Sequence, residues 1–197
     1  MRFTVAGPLV PRRFRTPLPR EQLLAVRAGL GLAATRPMAL LVAGSLGLGD
    51  LAPTVRDVLA AGLVPVVLCG NNDTLRRRLA REPGTVALGW RTDVHRLMQT
   101  ADVLVQNAGG LSYTEALVAG LPAVTYRPIP GHGRANARVL DQAGLARWAH
   151  GPAELAESLS ATVGCTRLPA ALPDPAELVL TALRSAVGVP APPALAA

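Results

Sequence analysis

From Met38 onward, short apolar runs alternate with amphipathic stretches, and this rhythm leaves the chain few folds to choose from. MALLVAG at 38–44, VPVVLCG at 64–70, TVALGW at 85–90, ADVLVQNAGG at 101–110 and PAVTYRP at 122–128 read as strands, with a short sixth at 145–149. Helices are predicted over 20–30, 51–62, 72–82, 93–100, 112–119, 133–143, 152–163 and 174–187. Strands that are apolar throughout, rather than every second residue, are buried on both faces, which requires a parallel sheet covered by helices on each side. The expected fold is therefore α/β, a Rossmann-like doubly wound parallel sheet. Such sheets bind ligands beyond the carboxyl ends of their strands, so the strand-to-helix loops are where chemistry is to be sought.

Composition narrows the function classes. The chain has 197 residues, enough for one domain with a full core. Only 3% of it is aromatic, so that core must be aliphatic. The net charge is +7, yet all 20 basic residues are Arg. Together with abundant Ala, Gly and Pro, this points to coding bias rather than to nucleic-acid binding, and no nucleic-acid partner is expected. Attraction to phosphate-bearing ligands or to an anionic membrane surface remains compatible with the charge. Cys69 and Cys165 fit no metal or redox spacing. The N-terminus lacks a signal-peptide core, and no apolar run nears the roughly 20 residues of a membrane span. A cytoplasmic chain, contacting the inner face of the membrane peripherally, is the expectation.

Four loops carry polar or glycine-rich sequence. The first, Gly44-Ser45-Leu46-Gly47-Leu48-Gly49-Asp50, has neither the Walker nor the dinucleotide spacing. It reads either as an anion-accepting turn or as a plain turn with Asp50 capping the next helix. The third, Gly89-Trp90-Arg91-Thr92-Asp93, places Trp90 either in the core or beside a flat base, with Asp93 as a helix cap. The fourth is Asn107-Ala108-Gly109-Gly110-Leu111-Ser112-Tyr113-Thr114-Glu115. Two glycines there leave a buried strand and open a helix, so free amides and the positive helix end can hold a diphosphate. Glu115 then serves either a ribose or, with Ser112, a capping box. The fifth runs from Pro128 through Ile129, Pro130, Gly131, His132, Gly133 and Arg134 to Asn136 and offers His132, Arg134 and Asn136 to a sugar. Arg76-Arg77-Arg78 reads as a solvated helix face, and His95 and His150 have no partners in sequence. Neither a metal-ligand cluster nor a nucleophile–base set is present, so no metal and no cofactor is expected.

In this order the loops resemble the C-terminal domain of GT-B glycosyltransferases, nearest to the monogalactosyldiacylglycerol synthase and diacylglycerol glucosyltransferase family and more distantly to MurG. The resemblance runs from about Val5 to about Trp148. It is carried by the linker-like Val5–Phe14, by Leu68-Cys69-Gly70-Asn71-Asn72, Gly89-Trp90, Leu97-Met98 and Ala101-Asp102, by Asn107 through Ala116 with Gly120-Leu121-Pro122, and by Pro128 through Asn136. It implies a C-terminal half of a GT-B fold: a linker-like lead-in and first helix over 1–37, a nucleotide-sugar-binding domain over 38–188 and a disordered tail over 189–197. The donor-binding residues it implies are Gly44, Gly47, Asn71, Gly89, Trp90, Arg91, Asn107, Gly109, Gly110, Leu111, Ser112, Glu115, Pro130, Gly131, His132 and Asn136. In the family the glycine loop cradles the diphosphate, Glu115 holds the ribose, the backbone near Gly89 and Trp90 receives uracil, and the PIPG loop faces the sugar. One departure is His132-Gly133, where the family carries Gln-Glu. Weak discrimination among UDP-sugars is expected from it, to be sharpened by Gly133→Glu.

The function implied is the donor-binding half of an inverting hexosyltransferase that takes a UDP-sugar as substrate and acts on a lipid-linked acceptor. No catalytic residue is expected in this chain. Because the sequence starts at the linker, a separate acceptor-domain protein is an expected partner, with no turnover by the chain alone. The alternative is a catalytically inactive nucleotide-sugar-binding or interaction module. A UDP-sugar epimerase is a third reading, disfavoured by the missing carboxylates.

Overall fold

The computed structural model describes residues 7–42, 44, 46–164 and 174–187. The tail over 189–197, Val5, Ala6, Ser45 and Cys165 lie outside the described residues.

A short 3-10 turn, Arg12–Phe14, leads into helix α1, Arg20–Gly29. Strands and helices then alternate: β1 Met38–Val42, α2 Leu51–Ala60, β2 Val64–Leu68, α3 Asp73–Leu79, β3 Val86–Leu88, α4 Val94–Thr100 and β4 Val103–Gln106. They continue with α5 Leu111–Val118, β5 Ala123–Tyr126, α6 His132–Gln142, β6 Ala146–Ala149, α7 Pro152–Thr162 and α8 Pro175–Val187. The six strands form one sheet in the order β3-β2-β1-β4-β5-β6, with all pairs parallel. This is the Rossmann-like doubly wound sheet that the apolar runs require.

Each central strand divides its side chains between two cores. Ala39 and Leu41 of β1 join Val55 and Val58 of α2 and Leu155 and Leu159 of α7 on one face. Met38 and Leu40 join Leu97 and Met98 of α4 and Tyr113 and Ala116 of α5 on the other. A strand sandwiched in this way has no polar face, which is why its sequence does not alternate.

Two buried polar residues tie the lead-in to the sheet. Gln99 at the end of α4 donates through Nε2 to the carbonyl oxygens of Arg13 and Thr16, and its Oε1 accepts from the Leu18 amide. Arg27 of α1 donates to the Arg36 and Thr100 carbonyl oxygens and pairs with Asp102 at 2.8 Å. Asp102 also accepts from the Met38 amide, so one carboxylate joins α1 to the starts of β1 and β4. The strand order reverses between β1 and β4, and the crevice at that switch point lies between the loops that follow them.

Candidate functional site

A cavity of about 530 Å³ opens over that crevice. Its walls come from the carboxyl ends of β1 to β5 and the loops that follow them, brought side by side because all five strands point the same way. Of the residues expected to bind a donor, it brings together Gly44, Gly89, Trp90, Arg91, Asn107, Gly109, Gly110, Leu111, Ser112, Glu115 and His132. Gly47, Asn71, Pro130, Gly131 and Asn136 do not line it. Gly47 sits under Leu75, Asn71 is exposed on the turn before α3, and Pro130 faces a second hollow. The cavity also has an apolar side formed by Leu46, Leu48, Leu68, Val94 and Ile129. Sequence reading missed these because their apolar side chains look like core.

The glycine loop after β4 is held from beneath. Gln106 at the strand end donates through Nε2 to Thr125 Oγ1 at 2.7 Å, and its Oε1 accepts from the Gly109 amide. Asn107 donates to the Leu48 carbonyl oxygen at 2.8 Å, joining the β4 loop to the β1 loop, while its own carbonyl accepts from the Ile129 amide. Asn136 of α6 donates to the carbonyl oxygens of Ala108 and Gly109, at 2.9 and 3.4 Å. Asn136 therefore shapes the loop from behind rather than lining the cavity. Gly109 has φ +67°, and a Cβ on it would lie 2.8 Å from the Asn136 Cβ, so glycine is needed both for the turn and for the packing.

Above this support the start of α5 is open. The amides of Gly110, Leu111 and Ser112 donate to no described residue, while Tyr113 and Thr114 already bond back to the Gly110 carbonyl. Free N–H groups at the positive end of a helix favour an anion.

The capping-box reading of Ser112 and Glu115 fails. The helix starts at Leu111 with Gly110 as N-cap, and no side chain bonds the cap. Ser112 and Glu115 are thus the second and fifth residues of the helix, two positions too late for a box. Glu115 is half-buried, and its carboxylate makes no hydrogen bond or ion pair with a described residue. Burial pushes its carboxyl pKa up, and the Arg13 guanidinium of the lead-in partly offsets this. Position 115 thus holds in the cavity wall a carboxylate to which no described residue donates a hydrogen bond.

The other local expectations resolve as follows. Trp90 is 62% exposed on the cavity rim, so it is not a core residue. Asp50 and Asp93 occupy N-cap positions, but neither side chain makes a capping bond. Asp93 instead takes the Arg91 guanidinium through two hydrogen bonds of 2.8 and 2.6 Å, and that pairing holds its pKa below the ordinary carboxylate value. His132 begins α6 and lines the cavity, whereas Arg134 points away from it. His95 lies against Phe14 with ring centroids 5.9 Å apart, far from any role in the cavity.

Gly133 overturns the expectation that a Glu there would reach the sugar. It is buried, and a Cβ on it would fall 2.6 Å from Ile129 Cγ1 and 2.9 Å from the Asn107 carbonyl oxygen. A side chain at 133 would meet the backbone of the glycine loop before it met any ligand.

No family model matches the chain. In sequence it is similar to processive diacylglycerol beta-glucosyltransferases. The one from Bacillus pumilus is 27% identical over 152 residues, 72% of this chain and 38% of that relative. The one from Bacillus subtilis is 31% identical over 100 residues, 48% of this chain and 26% of that relative. The resemblance read from the loops is matched in these relatives, of whose length the similar region covers less than two fifths. Among solved structures, HepE of Anabaena in complex with UDP and glucose aligns with a TM-score of 0.60 at 15% identity, over 93% of this chain and 56% of that one. WaaG, a glycosyltransferase involved in lipopolysaccharide biosynthesis, aligns with a TM-score of 0.57 at 21% identity, over 79% of this chain and 46% of that one. The fold is that of one half of a GT-B glycosyltransferase.

Proposed function

We propose that the cavity over the β1–β4 crevice binds a UDP-sugar and that this chain forms the donor side of an inverting glycosyltransferase. The acceptor is a lipid-linked hydroxyl, held by a further domain that closes over the exposed rim of Leu46, Leu48, Trp90 and Leu111. The observation that carries this reading is the pairing, in one cavity, of free amides at the start of α5 with the unpartnered carboxylate of Glu115 one turn along. About 6 Å of helix axis separates the two, a spacing suited to the phosphates and the ribose of one nucleotide. The similarity to diacylglycerol glucosyltransferases and the UDP and glucose carried by HepE support the same ligand class.

In the proposed reaction the acceptor oxygen attacks the anomeric carbon while the bond to UDP breaks and inverts that centre. Negative charge grows on the departing diphosphate, where the amides of Gly110, Leu111 and Ser112 are already oriented to receive it. Glu115 accepts hydrogen bonds from the ribose hydroxyls, and Gly89 and Trp90 flank the uracil. His132 faces the sugar. Calorimetric titration with UDP tests the reading: a folded sample that shows no UDP binding overturns it.

One observation favours the second reading, a module that binds donor without transferring it. Among the described residues lining the cavity only Glu115 and His132 carry a carboxylate or imidazole, and with Glu115 assigned to the ribose the imidazole of His132 is the single candidate base on the sugar side. Supplying the acceptor wall separates the two readings. Proximity in a closed cleft is worth roughly 7–11 kcal/mol and a general base a hundredfold or more. Turnover confined to the assembled pair supports the transferase, while donor binding with no turnover under either condition supports the module. Among the described residues no helix is long and apolar enough to cross a membrane, so contact with a lipid acceptor is proposed to be peripheral.

A further inference from the structure

On the far side of the Pro128–Pro130 loop lies a second hollow of about 640 Å³, between α6 and the ends of β5 and β6. It shares only Ile129 with the donor cavity. Three arginines line it. Arg127, in the left-handed region at φ +47°, pairs with Asp57 at 3.0 Å through Nη2, yet its buried Nε has no hydrogen-bond partner. Arg134 and Arg138 are one turn apart on the same side of α6, and neither guanidinium makes a hydrogen bond or ion pair with a described residue. Like charges at this spacing repel and destabilise a helix. Of the carboxylates nearby, Asp50 lines the hollow, Asp57 pairs with Arg127, and Asp141 and Glu154 take the backbone amides of Trp148 and His150; none of them bonds Arg134 or Arg138. The remaining wall is flat: the rings of Trp148 and His150 lie 4.6 Å apart, tilted by 32°.

We infer that this hollow is an anion site for a phosphate ester. Guanidinium groups bind phosphate oxygens through paired, charge-assisted hydrogen bonds. Two unpartnered guanidiniums on one helix supply donors that the fold leaves unused. A phosphate there neutralises the Arg134–Arg138 repulsion, and the organic part of the ester lies along the Trp148–His150 wall. The phosphate is either that of a free small molecule or that of a lipid headgroup. The site is separate from UDP binding and stands or falls independently of it.

The test uses the full chain with two probes: glycerol 3-phosphate in solution, and vesicles of phosphatidylcholine with or without phosphatidylglycerol. The variants are R134A/R138A and, as a control of equal charge loss on α3, R77A/R78A. UDP titration and thermal melts report that each variant is folded. Binding of glycerol 3-phosphate identifies a free ester as ligand, and binding only to phosphatidylglycerol vesicles identifies a headgroup. Either result supports the site if R134A/R138A lowers affinity by about tenfold or more while R77A/R78A leaves it near the parent value. Failure to bind either probe overturns it, as does an equal loss in both variants, which marks a diffuse charge effect.

Discussion

Gly133 packs directly beneath Asn107: a Cβ at position 133 would lie 2.9 Å from the Asn107 carbonyl oxygen, the same oxygen that accepts from the Ile129 amide. The first turn of α6 is therefore seated against the backbone of the glycine loop. Gly133→Ala is expected to destabilise the protein by about 1–3 kcal/mol, the usual cost of forcing atoms into a packed site. It also weakens UDP binding by moving the loop. Thermal melts and UDP titration check both effects; a variant equal to the parent in each refutes the seating.

Glu115 gives a prediction with a defined pH dependence. Its pKa is raised in the folded chain, chiefly by burial. Between the ordinary carboxylate pKa and the raised one, the folded state binds more protons than the unfolded state, so stability falls as pH rises. Glu115→Gln should accordingly be more stable than the parent at neutral pH, with the difference vanishing in acid. The same change should weaken UDP binding by about 1.5–3 kcal/mol, from loss of a charge-assisted bond. Melts across pH with paired titrations measure the two. Equal loss of stability and of binding at every pH contradicts the assignment.

Asn136 acts at one remove from the ligand. Asn136→Ala leaves the Ala108 and Gly109 carbonyl oxygens without their donor. A stability loss of about 0.5–1.5 kcal/mol follows from one net hydrogen bond. Reduced UDP affinity is expected although the side chain does not line the cavity. Unchanged affinity in a destabilised variant shows that the loop keeps its shape unaided.

Arg27→Leu strips a mostly buried carboxylate of its partner. Asp102 keeps its bond from the Met38 amide but loses the guanidinium, and two carbonyl oxygens lose their donor. Breaking such a pair from one side costs on the order of 3 kcal/mol. Denaturant unfolding measures it, and UDP affinity at low temperature should be unaffected.

Much of this was legible in the sequence because burial on both faces makes a parallel strand an unbroken apolar run, and β1, β2, β4 and β5 were readable in that way, whereas the edge strand β6, with Arg147 exposed, left only a short trace. The site loops were legible because parallel strands put their carboxyl ends together. Three things were not. The start of α5 depends on where backbone dihedrals turn helical, and Gly110 rather than a side chain caps it, so Ser112 and Glu115 imitated a capping box. The seating of Gly133 and the bonds of Asn136 depend on how α6 approaches a loop some 25 residues away in sequence. The second hollow joins Arg127, Arg134, Arg138 and Trp148 across a strand, a helix and a turn, with no motif among them.

The chain has two tryptophans: Trp90 stands on the rim of one hollow and Trp148 on the wall of the other. The molecule is thus its own pair of fluorescent labels, one for each ligand. With Trp148→Phe all indole emission reports on the nucleotide side, and with Trp90→Phe all of it reports on the arginine side. Occupancy of either hollow, and any communication between them, becomes readable as quenching or spectral shift in a cuvette, with no dye attached.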